Sequence, residues 1–170
     1  MSKIIIRRLV CAALLSCLLA PSARAEEINI VVKQAWIRAT PGGSRVAGGY
    51  FAIENRGPVV DKLLSASTAA ARKIEIHEMA VTDGVMTMRP VEGGLPIETG
   101  ATVKFAPGGL HLMMVGLSAP LTRGDKVPVR LTFEKAGDIA VTFDVQAMGA
   151  SAPGPQSEAT DPSSAAAAKM

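Results

Sequence analysis

The sequence predicts an all-β fold, a sandwich or barrel of short strands. Apolar runs between residues 28 and 146 are short and rich in Val, Ile and Thr, and Gly, Pro, Asn or Asp interrupts them at about every twelfth residue. Within the runs, apolar and polar side chains alternate, as they do on a pleated strand with one face buried. Helix-period patterning is weak outside Ser65–Arg72, where Ala is frequent but the stretch is short.

The elements follow in order. Ile28–Gln34 is the first candidate strand, and Thr40-Pro41-Gly42-Gly43 turns the chain into the second, Val46–Glu54. Asn55-Arg56-Gly57-Pro58 closes that strand, with Asn55 suited to the turn because its side chain can bond the backbone two residues on. Leu63–Ser67 and Lys73–Met79 come next, then the turn Thr82-Asp83-Gly84 and the strand Val85–Arg89. After Glu92-Gly93-Gly94 the reading gives Val103–Phe105, the turn Ala106-Pro107-Gly108-Gly109, and Leu110–Leu117. Lys126–Phe133 and Ile139–Gln146, joined by Lys135-Ala136-Gly137-Asp138, complete the set.

The ends of the chain read differently. Residues 1–25 form an expected signal peptide: a basic start (Lys3, Arg7, Arg8), an apolar run from Leu9 to Ala20, and Ala23-Arg24-Ala25 as a cleavage signal. The run is too short for a membrane span of about 20 apolar residues, so no stable membrane insertion is expected. Leu14-Leu15-Ser16-Cys17 loosely resembles a lipobox; lipidation of Cys17 is the alternative to cleavage after Ala25. From residue 150 to 170 the composition turns to Ala, Ser and Pro, which reads as a disordered tail. A single domain, residues 26–149, lies between.

Cleavage changes the electrostatics. The full chain carries net +3, but the leader holds four of its 18 basic residues and none of its 15 acids, so the exported chain is left at −1. Nothing in that charge favours nucleic acid or an anionic membrane as partner. Cys11 and Cys17 are the two cysteines, so cleavage after Ala25 leaves neither disulfide nor thiolate. No Ser-His-Asp or Cys-His arrangement, glycine-rich phosphate loop or placed carboxylate pair points to catalysis, and Glu75, Glu78 and Asp83 read as solvent-facing charges. An enzyme is not expected.

Chemistry concentrates in residues 77–114. Both histidines, His77 and His111, lie there, with five of the seven methionines beyond the leader: Met79, Met86, Met88, Met113 and Met114. Each histidine has a methionine at i+2. Strand alternation puts Glu75, His77 and Met79 opposite Ile74 and Ile76, and puts His111, Met113 and Val115 opposite Leu112 and Met114. Any one of these residues alone is more simply a packing or surface residue. Together they form a candidate metal site, and phase alone leaves either Met86 or Met88 available to it. Thioether and imidazole without carboxylate or thiolate suit Cu(I) better than Mg²⁺, Ca²⁺, Mn²⁺ or Zn²⁺. Neutral ligands that hold yet exchange an ion point to a carrier. Trp36, the one tryptophan, is expected in the core rather than over the site, and Met114 is expected to pack.

His77, ten residues, Met88, and then His111-Leu112-Met113 resembles the H-x10-M-x21-H-x-M signature of the PCu(A)C family, periplasmic copper chaperones for the CuA centre. Ala35-Trp36-Ile37-Arg38, Ala47-Gly48-Gly49-Tyr50 and Met88-Arg89-Pro90-Val91 look like family positions as well. The spacing from Met88 to His111 is 22 residues instead of 21, an excess the Gly-rich connection from Glu92 to Ala101 could absorb. The resemblance implies a cupredoxin-like Greek-key β-sandwich and the ligand set His77, Met88, His111 and Met113 for one Cu(I) ion. It also implies a periplasmic monomer whose partner is a copper-accepting protein, such as an oxidase CuA domain or another copper chaperone. A copper buffering or resistance protein would use the same ligands. A blue-copper electron carrier would need a cysteine.

Overall fold

A computed structural model describes residues 29–82 and 84–154. The expected leader, residues 1–25, and residues 155–170 of the expected tail lie outside the described residues. Ten strands and no helix are present among the described residues: β1 (Ile30–Arg38), β2 (Val46–Asn55), β3 (Asp61–Ser67), β4 (Ala71–Thr82), β5 (Val85–Pro90), β6 (Leu95–Ile97), β7 (Thr102–Phe105), β8 (His111–Leu117), β9 (Lys126–Phe133) and β10 (Gly137–Gln146). The all-β sandwich expected from the sequence is the fold observed.

Hydrogen bonding runs in the order β5-β4-β8-β2-β1-β10-β9-β3-β6, with β7 also on β2. β1 and β10 are parallel, and the other described pairs are antiparallel. The sheet folds over on itself: β3 and β4 touch although β8, β2, β1, β10 and β9 separate them in that order. Between the layers lie Ile37, Ile53, Leu63, Leu112, Leu131 and Phe143, all fully buried, with Phe51 stacked on Phe105 and edge-on to Phe143.

β6 is the strand the sequence reading did not contain. Its three residues include Pro96, and Ile97 is its fully buried one. Proline is tolerated because β6 is the end strand, paired with β3 alone. Local alanine preference also gives way: Ser65–Arg72 is the end of β3, a turn and the start of β4. Asn55 behaves as expected and does more. It is buried; its Oδ1 accepts from Gly57 N at 3.0 Å, and its Nδ2 donates to the carbonyls of Val59 (2.7 Å) and Ile97 (2.9 Å).

Trp36 is buried, but not where expected. Ile30 and Val32 face the core, then the register with β2 shifts between Lys33 and Trp36, and Gln34 takes a φ of 54°. The irregularity moves the core phase to Ala35 and Ile37 and turns Trp36 to the outer face. There it packs on Tyr50, ring centroids 4.5 Å apart, and lines a shallow cavity with Ser151, Ala152 and Pro153. Residues 150–154, which the sequence places in the tail, lie along this face: Arg38 Nε donates to the Ala150 carbonyl at 2.8 Å.

Candidate metal centre

Three adjacent strands, β5, β4 and β8, carry the four candidate ligands on the outer face. β4 pairs with both neighbours, and the register sets His77 directly across from His111. Their rings stand edge to face, 5.8 Å between centroids and 82° between planes. On the other side His77 lies opposite Pro90, and Met79 lies opposite Met88. Met88 is therefore diagonal to His77, within reach of a long side chain, and its Sδ lies 3.0 Å from His77 Nδ1. Met86 lies opposite Val81, one step farther out, so the register separates the two methionines that phase alone could not. Met113, half-buried, lies opposite Glu75 on β4 and Gly48 on β2. Met114 is on the other face, fully buried, as its phase predicts.

The histidines differ in setting. His111 faces away from the main core yet is only 5% exposed. Its Nδ1 lies 3.0 Å from the Gly109 carbonyl. A carbonyl can only accept, so in the neutral ring Nδ1 carries the proton and Nε2 keeps the lone pair. The turn before β8 sets that carbonyl: Gly109 N donates to Ala106 O at 3.0 Å, Gly108 takes a φ of 85°, and Met79 N on β4 donates to Gly109 O at 3.2 Å. A glycine suits that left-handed position.

His77 has the opposite nitrogen engaged. Its Nε2 lies 3.4 Å from Glu75 Oε2, while Glu75 Oε1 accepts from Lys73 Nζ at 2.7 Å. The Lys73 hydrogen bond first, with the Lys73 charge behind it, holds the Glu75 carboxyl below the usual carboxylate range. Glu75 is thus not merely the solvent-facing charge the sequence suggested; its place at i−2 from His77, on the same face, was the available signal. Gly48 is the other feature sequence reasoning passed over. A Cβ there would come 2.8 Å from the Tyr50 hydroxyl, so Tyr50 leans across Gly48 on the face that carries Met113.

Among the described residues, no three His, Cys, Asp or Glu side chains gather in a way that could hold a metal ion. A hard or borderline oxygen-rich site is not what this face offers. It offers two imidazoles with thioethers beside them, a soft and uncharged donor set.

The sequence profile of the LpqE-like lipoprotein family matches residues 30–145. Over 118 residues the chain is 32% identical to Lxx21020 of Leifsonia xyli subsp. xyli (strain CTCB07), a protein named as a lipoprotein, covering 69% of this chain and 70% of that one. Among solved structures, the copper-bound PCuAC domain from PmoF2 superposes with a TM-score of 0.60 at 26% identity, over 69% of this chain and 92% of that domain. The Cu(I) form of DR1885 from Deinococcus radiodurans gives 0.56 at 27% identity, over 75% and 85%. With a match that runs from β1 to β10 and the fold of the PCuAC domains beneath it, the chain belongs to the LpqE-like family.

Proposed function

We propose that this protein is an exported Cu(I) carrier. It holds one ion between His77, Met88, His111 and Met113 and passes it, in the periplasm, to a copper-accepting protein such as the CuA domain of cytochrome c oxidase or another copper chaperone. The observation that carries the reading is the convergence of donors from separate strands: Met88 Sδ 3.0 Å from His77 Nδ1, with the His111 ring against His77 and Met113 two residues along β8. The copper carried by the PmoF2 domain and by DR1885 supports it.

The residues suggest how such a carrier works. Imidazole and thioether are neutral, so Cu(I) keeps its single charge and remains exchangeable. His111, buried and fixed by the Gly109 carbonyl, is the anchoring donor; Met88, 46% exposed, is the donor an acceptor protein reaches first. Exchange then proceeds by stepwise replacement of Met88 by a ligand of the acceptor, without a free ion. Catalysis has no place in this scheme.

Competition of the exported chain against a Cu(I) chelator tests the assignment. One equivalent should bind, and His111→Ala and Met113→Ala should each weaken it; unchanged affinity in both variants refutes the ligand set. Delivery is separated from buffering by mixing the Cu(I) form with an oxidase CuA domain: copper should move to that domain, and its retention would favour a buffering or resistance role.

A second reading concerns the leader. The lipoprotein name of the relative favours acylation at Cys17, in Leu14-Leu15-Ser16-Cys17, over cleavage after Ala25. Mass spectrometry of the exported protein decides: an N-terminus at Glu26 supports release, and a diacylglyceryl Cys17 supports tethering of the same carrier to a membrane.

A further inference from the structure

The ribbon of β4 and β5 holds more sulfur than the four-ligand site uses. Met79 and Met88 are cross-strand partners, and Met86 lies opposite Val81, diagonal to Met79. All three are on the face that carries His77. Directly opposed side chains on a ladder have Cβ atoms about 4.5–5.5 Å apart and diagonal ones about 7–8 Å, within reach of an unbranched thioether with three rotatable bonds. Exposure rises outward along the row: Met79 is half-buried, Met88 46% and Met86 64% exposed. Val81 and Met86 together give the ribbon an apolar outer edge, while Glu78 and Arg89 stand opposite one another in register on the other face. No carboxylate lies in the row itself.

We propose that Met79, Met86 and Met88 form a second, thioether-only site for a soft monovalent cation, a landing site through which Cu(I) enters and leaves the deeper one. This rests on the carrier reading above, because Met88 belongs to both sites. An ion held by three thioethers keeps Met88 while His77, then His111 and Met113, replace Met79 and Met86. All the donors are neutral, no electron moves, and the ion is never bare. Thioethers alone bind more weakly than a set including imidazole, which gives the transfer its inward direction. Because they do not bind protons, the landing site works in acid where imidazole donors are lost.

The test uses the exported chain with ¹³C-methyl-labelled methionine, titrated with Ag(I) as a redox-inert probe for Cu(I). Met148, 60% exposed and separated from the ribbon by β8, β2 and β1 in the sheet order, is the internal control for a lone thioether. In His77→Ala/Met113→Leu, where the deeper site is dismantled, the Met79, Met86 and Met88 methyls should shift together at an Ag(I) concentration at least about tenfold below that which shifts Met148. If the three shift only with Met148, the landing site is refuted. In the unsubstituted chain the first equivalent should shift Met88 and Met113; if it does not, the carrier reading itself fails, and this inference with it. A kinetic arm stands apart from the double variant's folding: Met79→Leu/Met86→Leu should slow Ag(I) uptake from a chelator by about tenfold, and an unchanged rate overturns the proposal.

Discussion

At the scale of single residues, the two histidines are held by oxygen acceptors on opposite ring nitrogens: His111 by a backbone carbonyl, His77 by a partly exposed carboxylate. Outer partners of metal-binding imidazoles commonly contribute about 10- to 100-fold to affinity. The 3.4 Å separation and the 37% exposure of Glu75 place it at the lower end. Glu75→Gln is therefore expected to weaken Cu(I) binding by about tenfold, read by chelator competition; an unchanged constant would leave Glu75 a surface ion pair with Lys73 and nothing more. With both rings as ligands, as proposed, protons would compete with the ion, so affinity should fall as the pH drops from about 8 to about 5. A flat profile over that range would rule out histidine ligation.

At the scale of elements, Gly48 keeps β2 slim where β8 brings Met113 past it. Gly48→Ala sets a methyl 2.8 Å from the Tyr50 hydroxyl. Tyr50 cannot simply withdraw: Trp36 packs on its ring, and the Arg38 guanidinium stands 5.6 Å from its centroid. Overpacking of this kind costs about 1–3 kcal/mol, and a urea titration of the variant should show that loss; full stability would mean Tyr50 has another place to go. Farther along β2, Glu54 takes hydrogen bonds from Arg56 and Lys33. Arg56 first and Lys33 second hold its carboxyl at about 2, below its ordinary 4.5. A depressed carboxyl contributes stability above its unfolded value and loses it as the pH falls toward the folded one. The β1–β2 ribbon should accordingly weaken between pH 4.5 and about 2. Glu54→Gln should flatten that part of the acid-unfolding curve, and an identical curve would show the group does not report on folding.

At the scale of the whole molecule, polar stitches between strand ends add to what the core holds together. Asp61, 1% exposed at the start of β3, accepts from its neighbour Lys62 N and, in the turn that follows the adjacent strand β9, from Lys135 N and Ala136 N, at 2.7 to 2.9 Å. One carboxylate thereby ties β3 to the turn between β9 and β10. Asp61→Ala leaves those part-buried donors without their acceptor, a loss of about 1–3 kcal/mol, measurable as a lower denaturation midpoint; a shift within error would mean water takes over the contacts. The candidate site is backed by the core in its own right: β4 and β8, which carry three of the four candidate ligands, bury Ile76, Leu112 and Met114 on their other face.

The sequence by itself determined what a single strand can encode. Alternation with a period of two is local, so Ile76, Leu112 and Met114 in the core, and His77 and His111 on the other face, were legible without a partner strand. Punctuation by Gly, Pro and Asn likewise marked most strand ends, including the Asn55 turn. Tertiary structure decided what depends on pairing. The register that opposes His77 to His111 and brings Met88 to His77 belongs to two strands at once. So does the shift near Gln34 that moved Trp36 out of the core, and so does β6, too short to show in its own residues. The burial of His111 follows from β8 lying inside the sheet between β4 and β2. Pleat is a property of one chain segment; register, irregularity and depth are properties of its neighbours.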